Sequence, residues 1–295
     1  MTNIFKNSCA TWVKYDKYEI RKANNGTEYV VPTADAYPVI YDPLEDVEGI
    51  ALDAINTGLL TMSQKSRCEV RAGIMDFIQK YGLLGFMTAL PTTSEFTGYE
   101  KVYFPKNEFI REEFMDTEKY VELFFPFNRP DFKHSGTSTE YTVGDICSES
   151  NDSIRTGALT LAFMDEPLEK RMVVHPDYGE RYDWIEQQFK SWAFIFFTSQ
   201  FYYHDKEDLT EDTAVMMRQS MAAFGHKTPT YRIELRDRPV MVWDFHSLLL
   251  SVQMMFGFVI SSEDSDVKIC KNCNRAFITK NPGAEFCSRE CESEY

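Results

Sequence analysis

Cys270, Cys273, Cys287 and Cys291 carry the clearest chemistry in this chain: a CxxC pair, thirteen intervening residues, then a CxxxC pair. Cysteines two or three residues apart reach one metal ion while the spacer folds back, so two such pairs suit a tetrahedral Zn2+ ion. With sulfur at all four positions no place remains for water, and the zinc is expected to be structural rather than catalytic. Two disulfides are the alternative, disfavoured because the N-terminus carries no secretory signature and reducing compartments favour metal. A thioredoxin-like redox CxxC is disfavoured by the second cysteine pair close by. Cys9, Cys68 and Cys147 are scattered and read as buried or incidental thiols.

The elements that must position the sulfurs are legible around them. Asn274 follows the first pair, where a metal-binding turn needs a positive φ that Asn tolerates. Arg275–Thr279 reads as a strand, Asn281-Pro282-Gly283 as a turn, and Glu285-Phe286 as the return strand. A helix then starts at Phe286-Cys287-Ser288, with Cys287 and Cys291 on one face of its first turn and its N-terminus favouring thiolate. Turn, hairpin and helix in this order predict a treble-clef finger. Lys271, Arg275, Lys280 and Arg289 are its candidate contacts to nucleic acid or a partner protein.

Other chemistry is sparse. His134, His175, His204, His226 and His246 are dispersed, and no HExxH, GxSxG, P-loop or dinucleotide-binding glycine pattern occurs, so no enzyme is expected. His246 beside Asp244 is the best lone candidate base, against a structural histidine. Asp53, Asn56 and Thr57 put polar groups on an otherwise apolar helix, where each costs on the order of 1–3 kcal/mol if unpaired. They form either a structural hydrogen-bond network or a small-ligand pocket. Asp42, Glu45, Asp46 and Glu48 read as a helix start rather than a metal site.

The 295 residues are 43% hydrophobic and 15% aromatic, enough for a sizeable core. A hairpin is expected over Tyr18–Thr33 around Asn24-Asn25-Gly26, then helices over Ile50–Leu60 and Ser66–Tyr81, the second ending at Gly82. From Pro91 to Ser150, KVYFP, VELFFPF and TEYTV suggest irregular structure with short strands. Arg181–Tyr203 reads as a buried central helix, apolar nearly all round from Trp192; an aromatic nucleic-acid platform would need more interleaved basic residues. A helix over Leu209–Phe224, a hairpin over Tyr231–Trp243, and a helix over Phe245–Ile260 capped by Asp244 complete the body. The polar stretch Ser261–Asp266 separates a mainly helical domain of residues 1–262 from a four-cysteine zinc-finger module of residues 263–295. The fold class is thus α+β: a mainly helical N-terminal domain with β-hairpins and a small C-terminal treble-clef-like zinc finger.

Net charge is −15, so the body should repel phosphates at long range. From Lys268 onward five basic side chains face four acidic ones, so the finger is no basic patch once the thiolates are counted. No signal peptide or stretch long enough to span a bilayer is read, and a cytoplasmic protein with no membrane partner is expected. Homo-oligomerisation stays open.

GIALDAINTGLL followed by IMDFIQKYGLLG resembles the N-terminal signature of the CGNR zinc-finger, or ABATE-domain, proteins, with its leucine-aspartate-X-X-asparagine-threonine helix. The apolar helix Leu248–Ile260, Ile269-Cys270, Phe277 and Phe286-Cys287-Ser288 resemble that family's C-terminal finger; the middle of the chain is unmatched. The resemblance implies a bacterial, stress-induced type of transcription regulator, with Cys270, Cys273, Cys287 and Cys291 as zinc ligands. One departure bears on DNA: where the family has Cys-Gly-Asn-Arg and basic residues, Cys291 is followed by Glu292, Ser293 and Glu294. The CxxC and FCSxxC pattern also resembles small gyrase-binding zinc proteins, which implies a protein partner instead of DNA.

Overall fold

The computed structural model describes residues 5, 7–130, 166–204, 209–222, 229–264 and 266–295. Strands β1 (Ser8–Ala10), β2 (Trp12–Tyr15), β3 (Tyr18–Lys22), β4 (Glu28–Pro32) and β5 (Pro38–Tyr41) come first. The β3–β4 hairpin pairs Tyr18 with Pro32 through Lys22 with Glu28, and Gly26 takes φ 85 in its turn. β2 pairs with β5. The acidic run starts helices as expected: Asp42 caps a short 3-10 turn at Pro43–Asp46, and Asp46 caps α1 (Val47–Met62).

Helix α2 (Arg67–Tyr81) opens with a reciprocal capping box between Ser66 and Glu69 and ends at Gly82, whose φ of 97 stops it. Its Val70, Ile74, Phe77 and Ile78 are all buried. Then follow α3 (Phe86–Ala89), β6 (Lys101–Tyr103), β7 (Phe114–Asp116), α4 (Thr117–Glu122), α5 (Leu168–Val173), β8 (Glu180–Arg181) and α6 (Tyr182–His204). β6 and β7 form a hairpin, but Val121 and Glu122 of VELFFPF close a helix rather than enter a strand. TEYTV, Cys147, His134 and His226 lie outside the described residues.

Helix α7 (Glu211–Ala222) precedes β9 (Thr230–Leu235) and β10 (Pro239–Asp244); α8 (Leu248–Ile260), β11 (Asp266–Ile269), β12 (Ala276–Thr279) and α9 (Arg289–Glu294) complete the order. Helices and strands account for about 43% and 20% of the described residues, an α+β fold. β1 runs parallel to β10, which is antiparallel to β9, and β3–β4–β8 form a second three-stranded sheet.

The core is built around α1, which packs against α6, α8, α2 and β12. Ile50, Ala54 and Ile55 of α1 meet Phe189, Trp192 and Phe196 of α6 and Val252, Met255 and Phe256 of α8. Gly58 permits a close approach of α1 to α6: a Cβ there would stand 2.4 Å from the Phe189 carbonyl oxygen.

Three sequence expectations need correction. The last apolar helix starts at Leu248, not Phe245, because the Ser247 hydroxyl accepts from the Leu250 N–H and is the cap. Asp244 accepts instead from the buried Lys170 ammonium at 2.6 Å, so His246 precedes the helix. Helix α6 is not covered all round, since Phe194, Phe201 and Tyr203 are half or more exposed. The polar stretch after α8 is shorter than expected, with Asp266 already paired to Thr279 in β11–β12.

Candidate metal centre

β11 and β12 pair from Asp266–Thr279 to Ile269–Ala276, and the first cysteine pair sits in the turn that joins them. The Cys270 N–H donates to the Arg275 carbonyl at 2.9 Å, and the Asn274 N–H donates back to the Cys270 carbonyl at 2.9 Å. Asn274 has φ 56, and among the described residues it is the non-glycine residue with positive φ. This tight turn aims both sulfurs to one side.

The second pair is brought in by the following segment. Asn281 organises the turn, its side chain accepting from the Gly283 N–H at 2.9 Å, and the Lys271 N–H donates to the Glu285 carbonyl at 3.0 Å. Glu285 and Phe286 therefore lie beside the cysteine turn and form no return strand for β12, whose partner is β11; Arg275 precedes β12. Nor does Cys287 lie within the helix. Ser288 is the cap of α9, accepting from the Cys291 N–H at 3.2 Å, so Cys287 precedes the helix and only Cys291 sits in its first turn.

The ligand atoms of Cys270, Cys273, Cys287 and Cys291 all lie within 4.8 Å of one another. Cys273 and Cys287 sulfurs are 3.7 Å apart and those of Cys287 and Cys291 3.5 Å, far beyond the ~2.05 Å of a disulfide bond. Burial opposes ionisation of Cys270, but backbone N–H groups of Cys273, Cys287 and Asn272 outweigh it and bring its thiol down to about 6. Partial desolvation and the neighbouring thiols push Cys287 up to about 12 and raise Cys273. Crowded sulfurs of this kind accept one negative charge readily and resist further ones, so a cation is what lets all four act as thiolates. The donor set fits a metal ion.

No protein-family model, curated protein or solved structure matches this chain.

Lys271 pairs with Glu285 at 2.6 Å, while Arg275, Lys280 and Arg289 are exposed with no carboxylate partner among the described residues. The N-terminal candidates are placed apart from one another in function. Asp53 accepts from the Lys80 ammonium and the Tyr81 hydroxyl, both at 2.7 Å. Asn56 donates to the Ala276 carbonyl at 3.1 Å and accepts from the Ala276 N–H at 2.7 Å. Thr57 is buried on the same helix. The Asn56 contact has a backbone reason. The Cys270–Arg275 bond makes Ile269–Ala276 a pair whose strand groups point away from each other, so Ala276 is free to bond α1. Asn56 thus serves as one residue of a neighbouring strand, and the Gln200 amide does the same for the Val267 carbonyl at 3.1 Å.

Sequence reasoning passed over the buried charges. Glu180, fully buried, accepts from the N–H groups of Leu84, Gly85 and Phe86 and from the Tyr178 hydroxyl. Burial raises its carboxyl above the ordinary value, against the pull of those donors. Glu169 accepts from the N–H groups of Phe96 and Thr97 at 2.9 and 2.8 Å. Their neighbours in sequence are ordinary, and no local signal marks them as interior. His175 is also buried, its Nδ1 accepting from the Asp177 N–H at 3.1 Å.

Proposed function

We propose that this chain is a non-enzymatic zinc protein, a cytoplasmic bacterial transcription regulator whose treble-clef-like finger is the contact module. The observation that carries the reading is the sulfur spacing. Bonds of about 2.3 Å to a tetrahedral zinc ion set neighbouring sulfurs about 3.8 Å apart, and two of the sulfur pairs stand at 3.7 and 3.5 Å. Four sulfurs close the coordination sphere, so the ion scaffolds the finger and performs no reaction. The cysteine turn, followed by β12 and then a short helix capped by Ser288, supports the treble-clef description. The resemblance to CGNR proteins supports regulation, and its N-terminal signature acquires a physical purpose here, since Asn56 of LDAINT holds the finger's strand.

In the DNA version of this reading Arg275, Lys280 and Arg289 meet phosphates. A protein partner is the second reading, favoured by the Lys271–Glu285 pair and by Glu290, Glu292 and Glu294 along α9, which offset the finger's positive charge. Metal analysis of the purified chain, followed by titration with mixed-sequence DNA duplex across a salt series, tests both. Zinc bound in proportion to chain, with affinity that falls steeply with salt and is lost in Cys287→Ser, supports DNA contact. A zinc-loaded chain with no affinity for duplex at low salt shifts the finger to a protein partner, and a chain that holds no zinc ends the reading.

A further inference from the structure

Strand β9 is an edge strand: β10 lies on one side, and among the described residues no strand lies on the other. Its sequence, Thr230-Tyr231-Arg232-Ile233-Glu234-Leu235, alternates strictly, and Tyr231, Ile233 and Leu235 are 60%, 65% and 85% exposed. Edges are ordinarily blunted by proline, a bulge or repelling charge; β9 has no proline, pairs with β10 without a bulge, and its two charged residues, Arg232 and Glu234, are opposite in sign and pair with each other. The hairpin fixes which backbone groups are free. The Arg236 N–H donates to the Arg238 carbonyl, and antiparallel bonding alternates, so Arg232 and Glu234 bond to Val242 and Val240 of β10. The N–H and C=O groups of Tyr231, Ile233 and Leu235 consequently point outward from the sheet edge.

We propose that β9 pairs with β9 of a second copy of this chain, antiparallel about a two-fold axis at Ile233, joining two three-stranded sheets into one. That axis sets Ile233 opposite its own counterpart and Tyr231 opposite Leu235 of the other copy. All three outward-facing residues of each strand then exchange hydrogen bonds. The same axis sets Arg232 opposite Glu234 in the closely spaced pairs between them, so each ladder rung is apolar with apolar or basic with acidic. Shifting the axis to Arg232 places that arginine opposite itself, and a one-residue slip of other parity turns the donors and acceptors away from each other. One register satisfies bonding, charge and apolar contact together, which is the self-complementarity an isologous interface requires. Neither the finger nor its metal enters this argument.

Sedimentation of the full chain over a dilution series is expected to show a species of two 34.3 kDa chains that dissociates as it is diluted. Glu234→Arg and Arg232→Glu each set like charges across the axis, and each alone is expected to run as a single chain. An equimolar mixture of the two variants restores opposite charge at every cross-axis pair and is expected to regain the two-chain species, which an unfolded variant could not do. Amide exchange of the concentrated wild-type chain is expected to protect positions 231, 233 and 235, with that protection lost on dilution. A wild-type chain that stays single at every concentration overturns the proposal. So does a dimer that both variants retain, or a mixture that fails to associate.

Discussion

Asn56 shows how much one side chain can settle. Its amide joins two segments 220 residues apart and satisfies both backbone groups of a buried residue, Ala276. Asn56→Ala leaves that N–H and C=O without partners and is expected to cost about 1–3 kcal/mol, measured by urea unfolding. Amide exchange should quicken first in β12 and then in the cysteine turn; a variant that loses stability evenly, with β12 no more exposed than α2, would contradict this role. Asn274 settles a different matter, since at φ 56 it lets the chain turn tightly enough for Cys270 and Cys273 to face one ion. The sequence signalled both residues, Asn56 as a polar group needing a partner and Asn274 as a turn. The identity of Asn56's partner was set by chain-distant packing.

At the scale of elements, the α1–α6 contact depends on Gly58, because a methyl group there would collide with backbone rather than with a movable side chain. Gly58→Ala is expected to destabilise the chain by about 1–3 kcal/mol despite alanine's better helix propensity. An unchanged or higher melting temperature would show that the two helices can separate freely. The link between β4 and α2 gives a pH effect. Hydrogen bonding from Arg71, 2.8 Å from Glu28, holds the Glu28 carboxyl below its ordinary value of 4.5. A carboxylate depressed in the folded state stabilises fully above its unfolded value, and that contribution fades as pH falls through the folded one. The wild-type chain should therefore lose stability relative to Glu28→Gln as pH drops below about 4.5, read from paired unfolding curves; parallel curves would show no such linkage.

Across the whole molecule, two kinds of stabilisation coexist. The helical body is held by buried Trp192, Phe189, Phe256 and Ile50, whereas α9 buries no residue and the cysteine turn is mostly exposed. With so little apolar burial, a metal held by the four cysteines would supply much of this segment's folding free energy. Chelation is expected to abolish exchange protection over residues 270–295 while the far-UV helical signal stays near its starting value. Collapse of the helical signal in step with metal loss would mean that the body, too, depends on the ion. No helix among the described residues is long and apolar enough to cross a membrane.

The sequence by itself determined the four-cysteine cluster, the β3–β4 turn, the extent of α2 and the presence of α1, which runs three residues earlier and two later than expected, because each rests on local chemistry: sulfur spacing, Asn-Gly, capping and periodicity. Tertiary structure alone decided where β12 pairs, which serine caps α8, and why Lys170, Glu169 and Glu180 are interior. Those outcomes depend on which distant backbone groups meet, and a buried carboxylate looks the same in sequence as a solvated one until its donors arrive from elsewhere in the chain.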